Sequence, residues 1–112
     1  MDNIVEVMTE EEFKKHLKTK KPIVVEFFAG WCAPCKMQLP ILKEFKLEIG
    51  DKAQVIKVDV DQNQSIANFY GVNSIPTIAV FKGGELKEKA VGLTTKANLS
   101  EMLIKYLYYM FP

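Results

Sequence analysis

Residues 22–36 read PIVVEFFAGWCAPCK, an apolar run followed closely by the motif Cys32-Ala33-Pro34-Cys35. These two cysteines are the only ones in the chain. Two cysteines separated by two residues can close a small disulfide and reopen it. The run before them is typical of a buried strand, and the amphipathic residues after them are typical of a helix. A CxxC motif between a strand and a helix indicates thiol–disulfide chemistry.

The composition of the chain limits the other functions. Its 112 residues correspond to one domain, which we place over residues 1–112. The chain is 48% hydrophobic, enough to build a core without structural disulfides. The chain has 15 basic and 14 acidic residues, which give a net charge of +1. This charge is too small to attract a polyanion. Nucleic acid and membrane surfaces are therefore disfavoured as partners, and we expect a monomer.

The chain also carries signals about its compartment. Its N-terminus lacks the basic and apolar segments of a signal peptide, and no apolar run has the length of a membrane span. Beyond the CxxC pair no cysteine is left for a structural disulfide, which fits a reducing compartment. We therefore expect a soluble cytoplasmic protein.

The apolar pattern predicts five strands and four helices in the order βαβαβαββα. Strands are expected at residues 4–8, 23–29, 53–60, 77–82 and 85–91. The last two are joined by the tight turn Gly83-Gly84. This order predicts an α/β fold, with a mostly parallel sheet that ends in an antiparallel hairpin.

The helices are predicted from their ends and apolar stripes. Thr9 and Glu12 form a capping box that opens the first helix. The second runs from Cys32 to about residue 50 and contains Pro40, which should kink it. The third covers residues 63–70 and is closed by a glycine, and the fourth starts at Thr95 with a stripe that reaches Met110. Three aromatic residues of the C-terminal segment fall off this stripe: Tyr108, Tyr109 and Phe111.

Over essentially its whole length the chain resembles the thioredoxin family. The resemblance rests on the stretches FFAGWCAPCK (27–36), KVDVD (57–61), YGV (70–72) leading to IPT (75–77), the Gly83-Gly84 turn and Gly92. It implies the thioredoxin fold, a single domain with a central mixed five-stranded sheet flanked by four helices. Three positions differ from the usual pattern: Ala33 replaces a glycine, Glu26 a buried aspartate, and Phe28 a frequent tryptophan.

The resemblance implies a general protein disulfide reductase that cycles Cys32 and Cys35 between dithiol and disulfide. No cofactor would be bound; electrons would come from NADPH through a thioredoxin reductase and pass to disulfide-containing target proteins. One alternative is a disulfide oxidase or isomerase of the same fold, and another is a non-redox clamp or subunit. The residues between the cysteines, Ala33-Pro34, resemble the reducing branch, because the oxidising branch usually carries a histidine there.

The two cysteines are expected to have different roles. Cys32 should lie at the start of a helix, where free N–H groups and the helix dipole favour a thiolate. Cys35, one turn later, should be more buried and should resolve the mixed disulfide. Pro34 suits the first turn, where its missing N–H costs nothing. The alternative is half of a zinc site, but with His16 the chain offers three candidate ligands where structural zinc takes four.

A charged residue, Glu26, interrupts the apolar run before the motif. Burial disfavours its charged form, so we expect a raised pKa. The resemblance implies that Glu26 passes a proton to or from Cys35; the alternative is a solvated glutamate at a strand edge. The alternation of Lys57 with Val55 and Asp59 favours a lysine on a solvated face, whereas the resemblance implies that it modulates Glu26.

Pro76 stands at the start of a predicted strand, a position that proline tolerates. The resemblance implies a cis Ile75–Pro76 bond, which would leave the backbone of Ile75 free to pair with an extended substrate. It also implies an apolar substrate rim around Cys32. The rim would consist of Trp31, Ala33, Pro34, Val60, Ile75, Gly92 and Leu93. For Val60 and Leu93, simple packing is the alternative.

Overall fold

A computed structural model describes residues 4–107 of the protein. Met110 and the three aromatic residues Tyr108, Tyr109 and Phe111 therefore lie outside the described residues. Within residues 4–107, none of the helices has both the length and the apolar character needed to cross a membrane.

The described residues contain the predicted five strands and four α-helices in the predicted order. The elements are β1 (Val5–Val7), α1 (Glu10–His16), β2 (Ile23–Phe28), α2 (Ala33–Ile49), β3 (Gln54–Asp59), α3 (Gln64–Phe69), β4 (Thr77–Lys82), β5 (Glu85–Val91) and α4 (Lys96–Ile104). A short 3₁₀ turn, Gly50–Lys52, follows α2. Helix α4 ends at Ile104, with Lys105 as its C-cap, and is therefore shorter than its apolar stripe predicted.

The predicted helix starts are confirmed by side-chain caps. The Thr9 hydroxyl accepts a hydrogen bond from the Glu12 N–H at 3.1 Å, and the Thr95 hydroxyl accepts one from the Asn98 N–H at 3.1 Å. The Glu12 carboxylate in turn accepts a hydrogen bond from the backbone N–H of Met8, one residue before the cap. At the other end of α3, Gly71 takes the left-handed conformation (φ +67°) that the predicted glycine stop requires.

The five strands form one mixed sheet in the order β1-β3-β2-β4-β5. The pairs β1–β3 and β2–β3 are parallel, while β2–β4 and β4–β5 are antiparallel. The prediction of a mostly parallel sheet is therefore wrong. Strand β4 pairs with β2 in the opposite direction, with Thr77 beside Phe27. Strand β4 consequently starts at the end of the sheet where β3 stops.

Alternating side chains of the sheet pack against helices on both faces. On one face, Val25 and Phe27 join a core that includes Phe13 of α1 and Ile66 of α3. On the other face, strand β2 contributes Val24 to a core whose helical members come from α2 and α4: Leu42, Phe45, Leu99, Met102 and Leu103. Because side chains alternate along a strand, Glu26 lies on the same face as Val24, the face that α2 covers.

Candidate active site around Cys32 and Cys35

The turn between β2 and α2 places Cys32 at the N-cap of α2, where its predicted position at the helix start is confirmed. Cys32 has an extended backbone (φ −87°, ψ 107°), and its Sγ accepts a hydrogen bond from the Cys35 N–H at 3.2 Å. The Cys32 N–H donates to the Ala29 carbonyl at 3.1 Å, which closes the turn. Pro34 lies in the first turn of α2, where a backbone N–H would have no partner within the helix.

Cys32 and Cys35 are joined by a disulfide, with their Cα atoms 5.3 Å apart. Each cysteine is only 3% exposed, so the prediction that Cys35 is the more buried of the two is wrong for the disulfide form. Both sulfurs belong to one small apolar cluster with Ala29. Three half-buried side chains pack against this cluster: Phe28, Val60 and Ile75.

The loop before β4 lies beside this cluster. The Ile75–Pro76 bond is cis, as the resemblance implied. The Pro76 carbonyl accepts a hydrogen bond from the Gly92 N–H at 2.8 Å, which ties the start of β4 to the residue that follows β5. Ile75 packs against the disulfide cluster, so Cys32, Ile75, Pro76 and Gly92 are brought together at one end of the sheet.

The other predicted rim residues differ in exposure. Trp31 is 72% exposed, and its indole N–H donates to the Asp61 carboxylate at 2.8 Å, which fixes the ring beside the motif. Ala33 and Pro34 are exposed on the first turn of α2. Leu93 is 46% exposed and follows Gly92 directly.

Val60, which the sequence assigned either to the substrate rim or to simple packing, makes packing contacts on both sides. It packs against the disulfide cluster and also against the core on the α1 and α3 face. Its backbone N–H donates to the Phe28 carbonyl at 2.8 Å, which continues the β2–β3 pairing past the end of β3. Val60 therefore anchors the end of β3 next to the cysteines.

Beneath the disulfide, Glu26 is 1% exposed, so the alternative of a solvated strand-edge glutamate is wrong. Among the described residues its Oε2 atom has no hydrogen-bond partner. Burial raises the pKa of Glu26 from 4.5 to about 7, while the positive charge of Lys57 acts in the opposite direction. The predicted rise in pKa is therefore confirmed.

Lys57 is the partner of Glu26 in the parallel register of β2 and β3. Its Nζ atom lies 4.8 Å from the centre of the Phe28 ring. Lys57, Glu26 and Cys35 line one cavity of about 150 Å³, together with Phe28, Ala29, Gly30, Lys36 and Leu39. This volume has room for a few water molecules, which can link a carboxyl group to a thiol.

Sequence reasoning did not find Asp61, Gln38 or Thr94. Gln38 is fully buried in α2, and its side chain forms two hydrogen bonds with the backbone of Thr94. The sequence did contain a signal that Gln38 is buried. It lies three residues after Cys35 and four before Leu42, on the buried stripe of the helix. Asp61 offered no comparable signal, because its partnership with Trp31 joins residues 30 positions apart.

Metal binding is a separate question for the cysteine and histidine residues. Within the described part of the chain, no three or more His, Cys, Asp and Glu side chains form a group that could hold a metal ion. The third zinc ligand that the sequence offered, His16, is instead paired through its Nδ1 atom with the Gln54 side chain at 2.7 Å.

A cysteine pair at a helix N-terminus, next to a cis proline and above a buried carboxyl group, defines a dithiol–disulfide oxidoreductase. The chain belongs to the thioredoxin family, whose sequence model, described as Thioredoxin, matches residues 4–105. Its fold is the thioredoxin fold, and its activity is thiol–disulfide exchange on protein disulfides through Cys32 and Cys35.

Individual relatives agree with this assignment. The chain is 48% identical over 85 residues to a thioredoxin of Bacillus subtilis (strain 168), covering 76% of this chain and 82% of the relative. It is 42% identical over 103 residues to a thioredoxin of Rickettsia typhi, covering 91% and 98% of the two chains. A solved structure of a thioredoxin variant from Halobacterium salinarum NRC-1 superimposes with a TM-score of 0.86 at 32% identity, covering 99% and 96%.

The raised pKa of Glu26 predicts how the stability of the oxidised protein changes with pH. Because its pKa is about 7 in the folded protein and 4.5 ordinarily, ionisation costs more in the folded state, and the oxidised protein loses stability as the pH rises between these values. Glu26→Gln removes this loss. As the pH rises from 4 to 8, the free energy of unfolding of the variant should increase relative to that of the parent by at most about 3 kcal/mol.

Denaturant unfolding of the oxidised proteins at several pH values measures this gain. Glu101→Gln, which changes an exposed glutamate of α4, is the matched control and should show no such trend. A difference between Glu26→Gln and the parent that stays constant with pH would contradict the raised pKa.

Proposed function

We propose that the protein is a general protein disulfide reductase that is re-reduced by an NADPH-dependent thioredoxin reductase. It would work as a cytoplasmic monomer without a bound cofactor. The observation that carries the proposal is the Cys32–Cys35 disulfide at the N-cap of α2, bordered by exposed apolar side chains. The Ala33-Pro34 pair between the cysteines favours reduction of targets over their oxidation.

In the first step of the proposed cycle, Cys32 of the reduced protein attacks a target disulfide. A new S–S bond forms between Cys32 Sγ and one target sulfur, and the other target sulfur leaves as a thiolate. Cys32 suits this role because its Sγ occupies the N-cap, where backbone N–H groups and the helix dipole stabilise negative charge.

In the second step, Cys35 attacks Cys32 Sγ, which closes the intramolecular disulfide and releases the second target thiolate. Cys35 must first lose its proton. Glu26 is the proposed acceptor, because it shares a cavity with Cys35 and has a pKa close to neutral pH. Lys57 would modulate this step by opposing the effect of burial on Glu26.

Target proteins are proposed to bind along the exposed apolar surface beside the disulfide. Trp31, Ala33 and Pro34 would form the side at the start of α2, and Ile75, Gly92 and Leu93 the opposite side, with Val60 and the buried Pro76 at its base. Apolar exposed side chains suit targets of many sequences, because apolar contacts carry little directional specificity.

Removal of one cysteine at a time tests the order of attack. Cys35→Ser keeps the attacking thiol at the N-cap but cannot resolve the mixed disulfide, so it should accumulate covalent complexes with disulfide-containing proteins. Cys32→Ser should form few such complexes. Non-reducing gel electrophoresis after reaction with an oxidised target protein measures both. Trapping by Cys32→Ser alone would reverse the assignment.

The role of Glu26 predicts a change in the second step. Glu26→Gln keeps the approximate shape of the side chain but cannot accept a proton, so resolution of the mixed disulfide should slow about 10-fold or more near pH 7 and lose much of its pH dependence. Stopped-flow kinetics between pH 6 and 9 measure the rate. Parental rates across this range would exclude Glu26 as the base, and the exposed-site variant Glu101→Gln should match the parent.

The direction of electron flow is tested with a coupled assay. Supplied with NADPH and a bacterial thioredoxin reductase, the protein should reduce insulin disulfides over many turnovers, followed as NADPH consumption. Cys32→Ser should abolish the reaction. Efficient oxidation of a reduced target, combined with no turnover in the coupled assay, would favour the oxidase alternative. Retention of a cellular function by the double variant Cys32→Ser/Cys35→Ser would favour the non-redox clamp.

A further inference from the structure

One buried side chain joins the helix that carries the cysteines to the loop between β5 and α4. Gln38 in α2 is 0% exposed. Its Nε2 atom donates to the Thr94 carbonyl at 2.9 Å, and its Oε1 atom accepts from the Thr94 N–H at 2.8 Å. The side-chain amide therefore pairs with both backbone groups of one residue, as a neighbouring strand would.

These bonds continue to the cis-proline loop. The Thr94 hydroxyl donates to the Gly92 carbonyl at 3.0 Å, and the Gly92 N–H donates to the Pro76 carbonyl at 2.8 Å. Gln38 itself lies three residues after Cys35. A single series of hydrogen bonds thus runs from the redox helix through the loop at residues 92–94 to Pro76.

At a buried helix position such as 38, an apolar side chain would be expected, because it has no polar atoms that need hydrogen-bond partners. Gln38 belongs to the buried stripe of α2, between Cys35 and Leu42, and a buried amide is costly unless its polar atoms are bonded. Apolar packing is non-directional, whereas two parallel hydrogen bonds fix both the distance and the orientation of the loop. The amide therefore suits a site where the position of the loop matters more than packing alone.

We propose that Gln38 is a positioning residue for protein substrates. It holds residues 92–94 against α2, so that Gly92 and the half-exposed Leu93 form a ready wall beside Cys32. Without it the loop must be ordered when a target binds, and that entropy loss weakens affinity. This proposal rests on the proposed function, since it assigns the wall to a substrate of that reaction.

Loss of the Gln38 hydrogen bonds should affect protein substrates more than small disulfides. An extended protein segment contacts the wall, whereas a small disulfide such as glutathione disulfide needs only Cys32. Gln38→Met keeps the length of the side chain and removes both hydrogen bonds. In the reductase-coupled assay its KM for insulin should rise about 5-fold to 10-fold, the order expected when about one residue must be ordered on binding. Its kcat for insulin, and its rate with glutathione disulfide, should stay within about 2-fold of the parent.

Two further variants control for stability and geometry. Val7→Ala opens a cavity in β1 on the opposite face of the sheet, and it should destabilise the fold without changing the KM for insulin. Gln38→Glu keeps the acceptor for the Thr94 N–H but, when ionised, places a second oxygen against the Thr94 carbonyl, so its KM should rise at least as much as that of Gln38→Met. Amide hydrogen exchange should show faster exchange at Thr94 in Gln38→Met, with the amides of β2 unchanged.

Several results would overturn the proposal. One is an unchanged KM for insulin in a folded Gln38→Met protein, and another is an equal loss of activity on insulin and glutathione disulfide. If Gln38→Met does not fold, Gln38→Leu carries the kinetic comparison. Rapid exchange of the Thr94 amide in the parent would itself contradict the hydrogen bond to Gln38. Failure of the proposed function is distinguishable, because the parent would then not turn over insulin in the coupled assay.

Discussion

The site depends on the hydrogen bond that the Cys35 N–H donates to Cys32 Sγ at the start of α2. This bond makes a sulfur atom the cap of the helix, so the geometry that begins α2 is the same geometry that brings the two cysteines within bonding distance. Strand β4 starts at this same end of the sheet, which brings Pro76 and Gly92 to the cysteines. The start of α2 and the cysteine pair therefore share one local geometry.

Two electrostatic effects act on the cysteine pair from opposite sides. The N-terminus of α2 stabilises negative charge on Cys32, which favours attack on a disulfide. Beneath the pair, burial holds Glu26 close to half protonated at neutral pH, so it can take up a proton without placing a full second negative charge beside the sulfurs. Lys57 limits this effect through its own charge. In the proposed cycle, this balance would allow Cys32 to act as a thiolate while Cys35 keeps its proton until the mixed disulfide is resolved.

Local signals in the sequence predicted much of the fold. The caps at Thr9 and Thr95 and the Gly83-Gly84 turn depend on neighbouring residues, and the structure confirms them. The direction of β4 was missed because it depends on the pairing of β4 with β2, which lies far from it in the sequence. The equal burial of the cysteines was missed because it depends on side chains from three other segments. Lys57 shows the same limit: alternation alone placed it in solvent, whereas the β2–β3 register pairs it with Glu26. The family resemblance, rather than any local pattern, implied the cis bond before Pro76.

In the proposed function the Cys32–Cys35 pair donates electrons to protein disulfides. The equilibrium midpoint potential of Cys32–Cys35 tests it most directly, measured by titration against glutathione and dithiothreitol couples with thiol alkylation as the readout. We expect a midpoint at pH 7 below about −240 mV, where the pair can reduce protein disulfides at a cytosolic glutathione poise. A midpoint above about −180 mV, in the range of disulfide isomerases and oxidases, would contradict it.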